Sequence, residues 1–192
     1  MVKAHRISHK KFGQYKSFRA LSTQPNTQLK YYESQGAPQN VLTLVKQSPN
    51  KISTVCKDFA REAYHLEEPP SEVKCDHVDL DGNTYRQVST KYTSTGRFGS
   101  WEHIQPSREW DYLLLVELRL RALYYYRMSR GNFNKLRRIG IIKKIKSRQQ
   151  ESAQTDGRYA LSKSSFNGRP EEFLDFVEEM DDTNVSRRVS ES

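Results

Sequence analysis

The chain has 192 residues, a formal net charge of +9 and only 35% hydrophobic residues. That length supports one domain of ordinary size. No run approaches the ~20 apolar residues of a membrane span, and the charged start lacks the apolar core of a secretory leader. The 2 cysteines, Cys56 and Cys75, are too few for a disulfide scaffold or a four-thiolate zinc site. A reducing, cytoplasmic setting in a microbial or viral context is the expectation.

Charge is laid out in blocks. Residues 1–57 carry 10 Lys/Arg against Glu33 alone, a net of +9. Residues 58–128 carry 9 basic and 12 acidic groups, residues 129–168 carry 10 and 2, and residues 169–192 carry 3 and 8. Two basic blocks thus flank a mildly acidic centre, and an acidic tail closes the chain. Basic blocks suit a polyanion such as nucleic acid. The acidic centre suits an enzyme that holds a divalent ion between carboxylates while cations hold the backbone. The competing reading is that the runs are solvated surface.

In chain order, residues 1–40 read as a basic, polar N-terminal arm with scattered aromatics (Phe12, Tyr15, Phe18, Tyr31, Tyr32). Residues 41–181 read as the core and 182–192 as a flexible tail. Val41, Leu42, Leu44 and Val45 form a short apolar run. Ser53 is positioned to cap a helix to about His65, with Val55, Phe59 and Ala63 on one face and Pro69-Pro70 as the stop. Val73–Leu80 and Tyr85–Thr93 read as paired strands around an Asp81-Gly82-Asn83 turn. Asp111–Leu118 is apolar enough for a strand buried on both faces, and Leu120–Met128 for the next. Ser129 opens a short helix that ends at Gly140. Arg158–Ser162 reads as a strand, and Pro170–Met180 as an amphipathic helix burying Phe173, Leu174, Phe176 and Val177. This order predicts an α/β (α+β) fold with a mixed sheet.

Alternation along the hairpin puts Gln87, Ser89 and Lys91 on one face. One acid of the preceding strand, Asp76 or Asp79, can join them, giving a carboxylate, an amide oxygen and an ammonium in one patch. A divalent ion held there makes hydroxide available and neutralises charge developing on a phosphate. A lysine beside it stabilises the transition state. The competing reading is that these are ordinary polar residues near a turn.

The run from Asp76 through Asp79, Asp81-Gly82-Asn83-Thr84-Tyr85-Arg86 and Gln87-Val88-Ser89 resembles the core hairpin of the PD-(D/E)XK, or restriction-endonuclease-like, nucleases. Gly99 to Pro106 and Glu109 to Val116 resemble the loop and third strand of small members of that group. The resemblance covers about residues 45–180 and implies a restriction-endonuclease-like mixed central sheet flanked by helices. It further implies Mg2+, double-stranded DNA as substrate, a homodimer on palindromic targets and a cognate DNA methyltransferase. The first metal-binding acid falls on Asp79 or Asp76 and the second on Gln87, with the Val88 carbonyl between. The lysine position falls on Ser89, with Lys91 as its substitute, and Glu62 is a helix acid. Gln and Ser thus stand where the family has Glu and Lys. Arg97, Arg130, Asn132, Lys135, Arg137, Arg138, Lys143 and Lys144 are the expected DNA contacts. The expectation is a metal-dependent DNA endonuclease. The alternatives are a non-cleaving nucleic-acid-binding protein on the same scaffold and a viral genome-packing structural protein.

Overall fold

The computed structural model describes residues 5–19, 21, 28–91, 100–145, 158–166 and 170–180. Its centre is the predicted apolar run. Strand β5 (Tyr112–Leu118) is buried from Leu113 to Leu118, so its alternating side chains feed two cores. Leu114, Val116 and Leu118 join one, while Leu113 and Leu115 join the other.

On one side β5 runs parallel to β3 (Thr84–Lys91), with Gln87 opposite Leu114 and Val88 opposite Leu115. On the other it pairs antiparallel with β6 (Ala122–Ser129). A short β2 (His77–Val78) caps the start of β3, and β1 (His5–Ser8) pairs with β6. Among the described residues the sheet order is β1-β6-β5-β3-β2. The protein is thus a mixed α+β fold, its sheet flanked by helices.

The first core is roofed by α1 (Lys16–Arg19), α2 (Leu29–Ser34), α3 (Gln39–Val45) and above all α4 (Pro49–Tyr64). Helix α4 begins earlier than the Ser53 cap predicts. The Ser48 hydroxyl accepts the Lys51 N–H, and Pro49 takes the first-turn position that lacks a helical donor role. It ends at a left-handed His65, φ 52°, before the prolines are reached. The basic N-terminal stretch does not hang free among its described residues. Ile7 is buried on β1, opposite Leu123 of β6, and Phe12, Tyr15 and Phe18 gather on Phe59 of α4, with the Tyr15 ring stacked at 3.8 Å.

The second core is covered by α5 (Arg130–Arg138) and by a small sheet of β4 (Ser100–Ile104), β8 (Tyr159–Ser162) and β7 (Lys143–Lys144). The start and stop of α5 follow the sequence: Ser129 Oγ accepts the Asn132 N–H, and Gly140 follows at φ 78°. The predicted Pro170–Met180 α-helix is instead a 3-10 turn over Pro170–Phe176 followed by β9 (Glu178–Glu179). The three-residue spacing of Phe173 and Phe176 fits 3-10 winding. Pairing of β9 with β6, with Arg127 on Glu178 at 2.6 Å, draws the next residues into extended form. Residues 92–99, including Arg97 and Gly99, lie outside the described residues, as does the proposed tail; the rest of the Gly99 to Pro106 loop is largely strand β4.

Candidate functional site

The hairpin strand is shorter than the predicted Val73–Leu80, and that shortening builds the site. Only His77 and Val78 pair with β3, opposite Tyr85 and Thr84. Asp76 continues the edge differently. Its N–H donates to the Tyr85 carbonyl, and its carboxylate accepts the Gln87 N–H at 2.9 Å. The side chain thereby satisfies a backbone donor that β2 leaves unpaired.

The same carboxylate is 6% exposed and ringed by cations. Lys57 Nζ lies 2.6 Å from Oδ1, and Arg86 Nη1 lies 3.1 Å from Oδ2. Arg61 Nη2 donates to the Asp76 carbonyl at 3.3 Å. Ser53, Lys57 and Arg61 fall four residues apart on α4, one above another on the stripe that meets this corner of β3. Glu62 is exposed and lies off that stripe.

Asp79 serves another purpose. Its carboxylate accepts the N–H groups of Asp81 and Asn83, the Asn83 side-chain amide and the Tyr85 hydroxyl, at 2.9–3.2 Å. It closes the predicted Asp81-Gly82-Asn83 turn, where Gly82 sits at φ 82°. Asp76 and not Asp79 therefore stands beside Gln87.

Gln87 shares a face with Ser89, as alternation requires, and its amide is fully engaged. Nε2 donates to the Ser53 carbonyl and to Ser89 Oγ, both at 3.2 Å. Oε1 faces His77 Nε2 at 3.1 Å. That bond makes Nε2 the protonated nitrogen of a neutral imidazole. Burial drives the His77 pKa down to about 4, against a smaller opposing contribution from the Gln87 bond. Its Nδ1 is buried without a partner. Ser89 also hydrogen-bonds Cys56, whose thiol burial pushes up to about 12. Lys91 follows on the same face, its pKa lowered by desolvation. Val88 lies across β3, packed against the second core.

This donor set fits a divalent ion poorly. Mg2+ asks for one or two carboxylates with open lone pairs. Here the one carboxylate in the corner already accepts an ammonium, a guanidinium and an amide, and the Gln87 oxygen is turned to His77. An incoming ion would also meet two resident cations, and each unit-charge pair at 4 Å repels by about 4 kcal/mol at an effective dielectric of about 20. Among the described residues no group of three or more His, Cys, Asp or Glu is placed to hold a metal.

The expected DNA contacts divide. Arg130 is spent internally: it donates to the carbonyls of Pro106, Arg108 and Trp110 and lies over the Trp110 ring. Asn132 donates to the Phe176 carbonyl. Lys135, Arg137, Arg138, Lys143 and Lys144 are exposed on α5 and β7, with Lys135 over the Phe176 ring and Arg137 over the Tyr159 ring. Three of them also complement the C-terminal end of α5. Lys57, Arg61 and Arg86 were not singled out from sequence. The four-residue spacing of Ser53, Lys57 and Arg61 was the available signal.

No family model matches the chain, and no curated protein matches it.

Proposed function

We propose that the chain is a DNA-binding protein on a restriction-endonuclease-like scaffold whose metal position is held by its own cations, so that it grips the sugar-phosphate backbone without cutting it. The observation that carries this reading is Asp76 clasped between Lys57 and Arg86. The mixed sheet flanked by helices supports the scaffold, together with the hairpin of β2 and β3 under α4. The exposed cations of α5 and β7 support backbone binding, because lysine and arginine contacts to phosphates release counterions and bind duplex irrespective of sequence.

The second reading is a Mg2+-dependent endonuclease acting as a homodimer on palindromic DNA beside a cognate methyltransferase. Lys91 favours it: an ammonium pushed toward neutrality by burial, on the Gln87–Ser89 face, suits proton transfer or transition-state contact.

One pair of assays separates them. Fluorescence anisotropy with duplex DNA across a salt series is expected to give a log–log slope of about −4 to −5 if the five exposed α5 and β7 cations each meet a phosphate. Plasmid incubated with the protein in Mg2+ or Mn2+ is expected to stay supercoiled. Nicking that Asp76→Ala abolishes overturns the first reading and establishes the second. Absence of DNA binding at low salt overturns both.

A further inference from the structure

We infer that the Lys57 ammonium is a resident cation: it stands against Asp76 where a divalent ion would stand, and makes backbone recognition at this corner independent of metal. The inference rests on the proposed reading for the metal position and for what the site touches; the seating of the ammonium on Asp76 is geometry.

Three observations support it. Lys57 Nζ is 2.6 Å from Asp76 Oδ1, the contact of a cation seated directly on a carboxylate. The Lys57 side chain is 31% exposed while Asp76 is 6% exposed, so the lysine lies between the buried carboxylate and solvent. An ammonium has three donors, so one can hold Asp76 while another meets a phosphate oxygen. Finally, the other oxygen ligands expected of the hairpin are committed elsewhere: Gln87 to His77, Ser53 and Ser89, and Asp79 to its own turn.

The same geometry says what undoes it. Glutamate is one atom shorter than lysine, so in K57E the carboxylate stops short of Asp76. The space left suits an ion with metal–oxygen distances of about 2.1 Å. The charge at this position changes by two units: Arg86 stays on Asp76 Oδ2, while the space in front of Oδ1 is now faced by two carboxylates, which favours a divalent ion there.

The test uses the full chain, K57E and the double variant K57E/D76N, with Mn2+ or EDTA as the probe. Parent protein is expected to show the same Tm in both and no bound Mn2+ by electron paramagnetic resonance. K57E is expected to take up one Mn2+ and to gain about 5 °C or more in Tm with the ion at a hundredfold over its Kd. The double variant is expected to lose that gain. Parent protein that binds Mn2+, with loss of binding in D76N, overturns the inference without recourse to any Lys57 variant. So does a K57E that folds by circular dichroism and ignores Mn2+. Anisotropy of the parent on duplex DNA is expected to be equal in EDTA and Mn2+, and a requirement for Mn2+ overturns the inference. If K57E gains Mn2+ while the parent binds no DNA, the resident cation stands and the DNA-binding reading falls.

Discussion

The second core hides a charge cluster whose energetics can be measured directly. Glu117 of β5 is fully buried, and its Oε2 accepts Lys163 Nζ at 2.9 Å and Arg119 at 2.8–2.9 Å. Lys163 is 3% exposed, donates also to the Tyr126 hydroxyl, and sits 4.5–5.6 Å from the ring centroids of Tyr126, Phe173 and Trp101. Lys163→Met keeps the volume and removes the charge. Glu117 then remains desolvated with Arg119 as its remaining cation among the described residues and with Oε1 already unpartnered. Removing one partner of a buried pair costs about 3–5 kcal/mol, or about 6–20 °C in Tm for a chain of this size. The double replacement Glu117→Leu/Lys163→Met removes both charges, so its cost is expected to be smaller than that of Lys163→Met alone. Urea unfolding followed by tryptophan fluorescence reads all three, since Trp101 lies against the cluster. A second handle is pH. Burial pulls the Lys163 pKa down to about 8 from 10.5, outweighing the attraction of Glu117. The unfolded chain therefore binds more protons between those values, and stability rises with pH across that window. Cys56, its thiol raised to about 12 by burial, pulls stability the other way above about pH 8.5, so the rise is read as the difference between the parent and Lys163→Met profiles between pH 8 and 9.5. A Lys163→Met penalty below about 1 kcal/mol, or parent and Lys163→Met profiles that run parallel from pH 8 to 9.5, refutes the claim that this pair is desolvated.

His77 gives the complementary acid limb. Its folded pKa of about 4 lies below 6.5, so the contribution of the neutral imidazole is complete above pH 6.5 and lost as pH falls toward 4. The gap corresponds to ~3 kcal/mol, and His77→Gln is expected to flatten the profile between pH 6.5 and 4 in urea melts. Asp79→Ala strips the turn of its acceptor for two backbone N–H groups, the Asn83 amide and the Tyr85 hydroxyl. It is expected to lower stability by ~1–3 kcal/mol while DNA anisotropy titrations stay unchanged.

What the sequence disclosed was decided by locality. The run Leu113 to Val116 announces a strand buried on both faces because apolarity alone encodes that environment, and it is the strand shared by both cores. Ser129 and Gly140 bracket α5 because capping chemistry is local. The aromatics of residues 12–18 carry no helical or strand period, so their stacking on Phe59 is a tertiary fact that periodicity cannot express. The choice between Asp76 and Asp79 stays open in the sequence for a related reason. Strand alternation assumes regular pairing throughout, whereas β2 stops after two residues and Asp79 bends back onto Asn83. The four-residue spacing puts Lys57 on one stripe with Ser53 and Arg61, but its partner lies 19 positions away, which spacing on α4 alone does not reveal.

Asp76 has a structural reason to exist that owes nothing to metal. It meets an edge-strand N–H, that of Gln87, which would otherwise face the α4 corner unpaired. Loss of the acceptor and loss of the charge are thus separate perturbations. Asparagine keeps an oxygen for the Gln87 N–H and gives up the attraction for Lys57 and Arg86; alanine gives up both. A stability gap between Asp76→Asn and Asp76→Ala therefore measures the edge-capping bond, expected at ~1–3 kcal/mol because the donor is buried. The change from parent to Asp76→Asn isolates the clasp of cations. If Asp76→Asn and Asp76→Ala unfold at the same urea concentration, the carboxylate does not close the β3 edge, and the account of how this corner is built fails at its first step.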